Sequence, residues 1–421
     1  IALVSTFAGF AIFFFIIKRI VVVLKNKTKG FAIILEVLRP KPDFLFWPLM
    51  SFIGAVIVSV IFSQFHYLSC PAFFGKVLRG IYLLASFLEA FTAVAAIGNF
   101  IMIWFVSAFV TSVSGLNQYL TKVDFLRHVT ISDGRISSSL RQANDFGAYL
   151  ILVAPLLLLI CLHWKKISNQ FQEHFQGRVL KGLLLFFYLA LVALVVLTCL
   201  GLTFSRGSWV AFFVSMILVG FIEKKNLPGI VAVIILFYLI FAPLMVHTRD
   251  TSIFTDNVKN KPVLSEQEIT TDRKNIFHHV FGNIGSGRWT YWREALKIIE
   301  DYPVFGSGLN TYSQMGQRYR VDWGGYPHNS YLQMAAEIGL VGLGSFLWIL
   351  FVFFQQVFQA RKRSPQGFLH VALLGIAAGL FAFLLQSGVD TNLYSVQLSV
   401  IFWLILSLGV AIQQQLTKTS R

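Results

Sequence analysis

Pro327-His328-Asn329-Ser330-Tyr331 closes the one long polar loop of a very apolar chain, and an apolar run begins at once behind it. A histidine at such a mouth is placed to work as a base at a membrane surface. Pro327 marks a sharp turn into a helix, which Asn329 or Ser330 can cap. A helix N-terminus and nearby arginines both disfavour an imidazolium, which leaves a ring nitrogen able to take a proton. An interfacial histidine with a structural hydrogen bond would fit the same position.

Two arginines stand at comparable turns. Phe204-Ser205-Arg206-Gly207-Ser208-Trp209 joins two apolar runs, and Gly285-Ser286-Gly287-Arg288-Trp289 opens an amphipathic helix in the long loop. A guanidinium stays charged and offers a planar fork of donors, which suits phosphate oxygens. A snorkelling arginine at 206, or a loop ion pair at 288, is the structural alternative. Arg135 and Arg141 lie in a shorter basic loop on the same face and are further candidates for an anionic pocket. Asn329 is a candidate substrate contact. Tyr302-Pro303-Val304-Phe305-Gly306-Ser307-Gly308 is rich in glycine and reads as a structural turn. The sequence shows no HExxH, Walker A, GxSxG or Cys/His metal spacing, so neither a metal nor a cofactor is expected.

Helices crossing a bilayer must position these groups. Over half of the residues, 56%, are hydrophobic and 13% are charged, and apolar runs of about 20 residues recur. This predicts an all-α polytopic transmembrane bundle. Spans are expected near 1–24, 45–64, 80–97, 98–117, 144–163, 180–203, 207–222, 227–246, 331–356, 367–388 and 394–414. A hairpin at Gly98-Asn99 separates the third and fourth. The organisation is N-terminal membrane helices over 1–246, a loop domain over 247–330 and C-terminal membrane helices over 331–421. The stretch 251–275 reads as a protruding, polar part of that loop.

The net charge of +16 fits positive-inside topology and attraction to anionic membrane lipids, not nucleic-acid binding. Lys25, Lys27, Lys29, Arg39, Lys41, Lys165, Lys166, Arg178, Lys181, Lys224, Lys225, Arg361, Lys362 and Arg363 fall in loops on one side, expected to be cytoplasmic. The loop 247–330, with His328, Arg206 and Arg288, then faces the other side. Ile1 falls on that outer side, so a further span is expected upstream. Glu89 is the main ionisable residue expected inside a span.

His328-Asn329, nine residues, then Gly339-x-x-Gly342 resembles the signature of the O-antigen ligase family. The same superfamily holds Wzy-type polymerases and bacterial O-oligosaccharyltransferases. Ser205-Arg206-Gly207 resembles a second family block. Ser286-Gly287-Arg288 with Trp292, then Pro303 and Gly306-Ser307-Gly308, resembles a third. The likeness covers about 140–360. It implies a GT-C-like helical fold in a bacterial inner membrane, with a metal-independent active site on the periplasmic side. The implied donor is a glycan on undecaprenyl diphosphate. The implied acceptor is lipid A–core for a ligase, another lipid-linked repeat for a polymerase, or a protein hydroxyl for an oligosaccharyltransferase. On this resemblance His328 deprotonates or orients the acceptor, Arg206 and Arg288 bind the diphosphate, and Gly339 and Gly342 pack their helix closely on a neighbour. A lipid-linked oligosaccharide transporter is the reading from another class. It requires ionisable or broken-helix positions near mid-membrane.

Overall fold

The computed structural model describes residues 43–168, 179–260, 288–319, 325–363 and 367–419. The span expected at 1–24, the basic cluster that follows it, Ser286 and Gly287 lie outside these residues. The helices are α1 (Phe46–Ile61), α2 (His66–Ala90), α3 (Val94–Thr121), α4 (Ala143–Leu162), α5 (Val179–Leu202), α6 (Arg206–Ile222) and α7 (Leu227–Asn260). They continue with α8 (Arg288–Asp301), α9 (Tyr312–Arg318), α10 (Ser330–Arg363), α11 (Phe368–Ser387) and α12 (Val396–Thr419). Extended pairing among the described residues is limited to two isolated bridges, Val123 with Thr130 and Ser132 with Arg135. The fold class is thus all-α. Eight described helices are long and apolar enough to cross a membrane, and α1 and α6 are shorter apolar helices. Helices suit this task because each closes its own backbone hydrogen bonds without water.

α4 and α11 form the centre and are buried on most sides. Their backbones approach closely at Gly375 and Gly379, where an added Cβ would lie 2.6 Å from Leu156 Cα and 2.4 Å from the Leu152 carbonyl oxygen. Small residues permit such contact, and dispersion then replaces the missing hydrophobic drive in lipid. α6 joins this pair through Ser215, whose hydroxyl donates to the Ala378 carbonyl at 2.6 Å.

The structure corrects the expected hairpin at Gly98-Asn99. α3 runs straight through both residues, and the chain breaks at Phe91–Ala93 instead. The helical penalty of a glycine is smaller than the cost of opening backbone hydrogen bonds in lipid. Glu89 consequently lies in the last turn of α2, at the end of a span rather than in its middle. The start of the stretch expected to protrude, 251–260, continues α7, and 261–275 lies outside the described residues.

α10 is broken at Gly339, whose φ of 71° and ψ of 178° are not helical. A segment of the polar loop occupies the break. Leu340 N–H donates to the Pro303 carbonyl at 2.8 Å, Ser307 N–H to Ala336 at 2.9 Å and Gly308 N–H to Glu337 at 2.9 Å. A Cβ at Gly339 would come within 2.1 Å of the Val304 oxygen, and one at Gly306 within 2.3 Å of the Glu337 carbonyl. The close approach expected of Gly339 is therefore to a loop and not to a neighbouring helix. A Cβ at Gly342 would first meet the Ile338 side chain of its own helix.

Candidate functional site

The mouth of α10 is strained and then firmly capped. His328 has a φ of 46°, an uncommon conformation for a residue with a side chain. Asn329 Oδ1 accepts from the N–H groups of Tyr331 at 2.9 Å and Leu332 at 3.0 Å, a side-chain N-cap. Ser330 anchors the same turn to the loop between α11 and α12. Its N–H and its hydroxyl both donate to the Asp390 carbonyl, at 3.1 and 3.0 Å.

Asp390 organises this end of the bundle. Its Oδ1 lies 3.4 Å from His328 Nδ1, a long hydrogen bond, and accepts the Thr391 N–H at 2.9 Å. Its Oδ2 accepts from Asn144 Nδ2 at 2.8 Å. Burial alone would push the Asp390 carboxyl up. The hydrogen bond from His328, the Thr391 N–H and the charges of His328 and Arg288 outweigh burial and hold it below the usual carboxylate range. A carboxylate beside Nδ1 favours the tautomer with its proton on Nδ1, which leaves the Nε2 lone pair open. The imidazole remains reachable, with 41% of its side chain exposed. Tyr291 of α8 meets the ring edge to face at 6.1 Å between centroids.

The candidate arginines gather around the same turn. Arg288 donates to the Val389 carbonyl at 2.5 Å. Arg206 is the first residue of α6, and a Cβ at Gly207 beside it would lie 3.0 Å from the Val389 side chain. Phe204, just before it, has a left-handed φ of 47°. Arg288, His328 and the start of α6 that carries Arg206 thus come from three separated segments to the turn Gly388–Thr391. Arg135 has a different placement. Its Nη2 donates to Asn144 Oδ1 at 2.6 Å and its Nε to the Thr203 carbonyl at 2.9 Å. It aims the Asn144 amide at Asp390 and ties down the end of α5. Arg141 is exposed at the start of α4 and interacts electrostatically with Asp145, which also senses Asp390.

The sequence reading missed Asp390, Asn144 and Asp145. The signal for Asp390 was a carboxylate in the short loop between the last two apolar runs, on the same face as His328. Glu337 was missed as well. It is fully buried beside the break in α10, accepting from Asn310 N–H at 2.7 Å, Tyr312 N–H at 3.3 Å and Gln333 Nε2 at 3.0 Å. The Tyr312 hydroxyl then donates to the Tyr291 carbonyl at 3.1 Å. Glu337 therefore supports the platform on which His328 rests. Among the described residues no group of three or more His, Cys, Asp or Glu could hold a metal ion.

Residues 191–347 match the O-antigen ligase family model, Wzy_C. The likeness to that family seen in the sequence blocks is thereby shown for this segment. No curated protein matches the chain. The matched segment runs from α5 into α10 and contains Arg206, Arg288, His328, Gly339 and Gly342. Asn144 and Asp390 complete the network from outside it. Together with the apolar helices, the O-antigen ligase match indicates a multi-pass membrane protein of glycosyl-transferring type, acting on a glycan in O-antigen processing.

Proposed function

We propose that this chain transfers a glycan from undecaprenyl diphosphate to an acceptor hydroxyl at the periplasmic face of a bacterial inner membrane. The acceptor named first is a sugar of lipid A–core, which makes the reaction O-antigen ligation. The observation that carries this reading is the convergence of His328, Asp390, Arg288 and the start of α6 on one turn. His328 Nε2 takes the acceptor proton as the acceptor oxygen bonds to the anomeric carbon. The bond from that carbon to phosphate breaks, and its electron pair leaves on undecaprenyl diphosphate. Arg206 and Arg288 stabilise the charge that develops there, doing the work that a divalent ion would otherwise do. Asp390 orients the imidazole and stabilises the imidazolium. Arg135 acts through Asn144, Arg141 stands beside Asp145 as a further candidate for the anionic substrate, and Asn329 holds the turn that carries His328.

The break in α10 with buried Glu337 beside it is the feature a transporter would use. Here loop backbone fills the break, and Glu337 is held by backbone and amide donors and by the charge of Lys76. This favours the transferase. The test is reconstitution with purified lipid-linked glycan, chelator and competing acceptors. Transfer to lipid A–core is expected. Preferred transfer to a second lipid-linked repeat or to a protein hydroxyl would replace the ligase by a polymerase or an oligosaccharyltransferase. Strict dependence on a divalent ion would remove the arginine mechanism.

A further inference from the structure

A second polar cluster lies at the end of the bundle opposite the candidate site. His163 Nε2 meets Glu223 Oε2 at 2.9 Å, and Arg361 Nη2 meets Glu223 Oε1 at 3.5 Å. Arg361 Nε donates to His370 Nε2 at 3.3 Å, and Asn226 Nδ2 donates to Glu223 Oε2 at 3.0 Å. These groups follow α4, follow α6, close α10 and open α11. The other ends of these four helices carry Asn144, Arg206, His328 and the Asp390 turn. One cluster thus joins the far ends of the helices that assemble the site.

We propose that Glu223 is a remote positioning residue, and that with His163 and Arg361 it forms a protonation-dependent clasp that holds the four site-bearing helices in register. The His163 ring has oxygens at both nitrogens, the Leu159 carbonyl 3.0 Å from Nδ1 and Glu223 from Nε2. Both are acceptors, and an imidazolium donates to both. Asn226 Nδ2 also lies 3.2 Å from Nε2, so a neutral ring can keep its Nδ1 proton on Leu159 and accept from Asn226 once the bond to Glu223 is released. His370 differs. Its Nε2 accepts from Arg361, and its buried Nδ1 has no partner, so a second proton would set two cations against each other. Lys166 acts electrostatically on both His163 and His370, and Lys165, Lys224, Lys225 and Lys362 are exposed close to the cluster residues in sequence.

The pH response has a definite sign. The Glu223 hydrogen bond raises His163 above its ordinary value of 6.5, against the opposing effects of burial and Lys166. The His163–Glu223 attraction is therefore complete below 6.5 and is lost as pH rises through the raised value. The clasp tightens as its own side of the membrane becomes acidic and loosens as that side becomes alkaline.

Proteoliposomes allow the two faces to be titrated separately. With the site-side pH fixed, raising the clasp-side pH from about 6 to about 9 should lower glycan transfer about tenfold or more, the scale of a small misplacement of reacting groups. Glu223→Gln should show a similar loss at all pH values. His163→Lys, which keeps its charge when alkaline, should hold transfer high and flatten the profile. The transfer arm rests on the proposed function, so hydrogen exchange supplies an arm that does not. Amides over 206–210 and 388–395 should exchange faster in Glu223→Gln, or in alkaline wild type, at unchanged melting temperature. Wild-type transfer and exchange that ignore clasp-side pH would overturn the clasp. So would a folded Glu223→Gln with wild-type values of both. If Glu223→Gln fails to fold, the wild-type titration and His163→Lys decide the matter.

Discussion

Asp390 and Glu337 are both carboxylates at the same end of the bundle, 7% and 0% exposed. Both accept backbone N–H groups, and both receive a side-chain amide. The difference lies in their remaining partners. Asp390 faces a strained, half-open histidine and the charge of Arg288. Glu337 faces the loop backbone that fills the break in α10 and the charge of Lys76. Burial of a carboxylate therefore does not mark chemistry. What marks it is a reachable titratable partner with arginines beside it.

His328→Ala should break the comparison most sharply. Loss of a general base typically costs about 10²–10⁴-fold in rate. The cap by Asn329 and the Ser330 anchor remain, so the protein should still fold and insert. Transfer assays on detergent-purified protein check this, and near-normal turnover would remove the base from His328.

Arg206→Lys and Arg288→Lys come next. A lysine keeps the charge but cannot reproduce the fork. A fall of roughly 10²–10³-fold in turnover is expected from the loss of leaving-group stabilisation. Donor binding should weaken in both variants and survive better in His328→Ala. The reverse order would exchange the assigned roles.

The positions of these three residues were legible in the sequence, Arg206 and His328 because they border apolar runs and Arg288 because it opens an amphipathic helix of the polar loop. Most of the helices were legible from the same runs. Asp390 and Asn144 were not, since their contact joins residues 246 positions apart and no motif marks either. The role of Gly339 was misread because its spacing from Gly342 suits helix packing equally well. Only its positive φ reveals a break. The hairpin at Gly98-Asn99 failed for the converse reason, since a lone glycine does not stop a helix in lipid.

Asp390→Asn sharpens the comparison directly. The amide keeps its shape but neither stabilises the imidazolium nor fixes the tautomer. Turnover should fall about 10–100-fold, less than for a buried triad because the contact is long. Its carboxyl is held below the usual range, so its contribution is lost only as pH falls through that lowered value. The neutral part of the pH–rate profile should carry no Asp390 titration. Glu337→Gln should behave in the opposite way. It replaces one acceptor oxygen by an NH2 donor and so leaves the N–H of Asn310 or Tyr312 without its acceptor, at a cost of roughly 1–3 kcal/mol in stability. Turnover per folded molecule should change little. Equal effects of the two substitutions on turnover would erase the distinction drawn between the carboxylates.

The smallest effect belongs to Asn329→Ala. Asn329 Oδ1 satisfies two N–H groups at the start of α10 and so closes donors that would otherwise be left open. Losing such a cap costs about 1 kcal/mol. α10 is long and packed along its length, and Ser330 still ties its first turn to Asp390, so the loss should stay local. The expected result is a small drop in melting temperature with acceptor KM and kcat near their wild-type values. A rise in acceptor KM out of proportion to the stability change would show that the Asn329 amide also touches substrate. The contacts at the mouth of α10 would then extend from holding the imidazole to reading the acceptor.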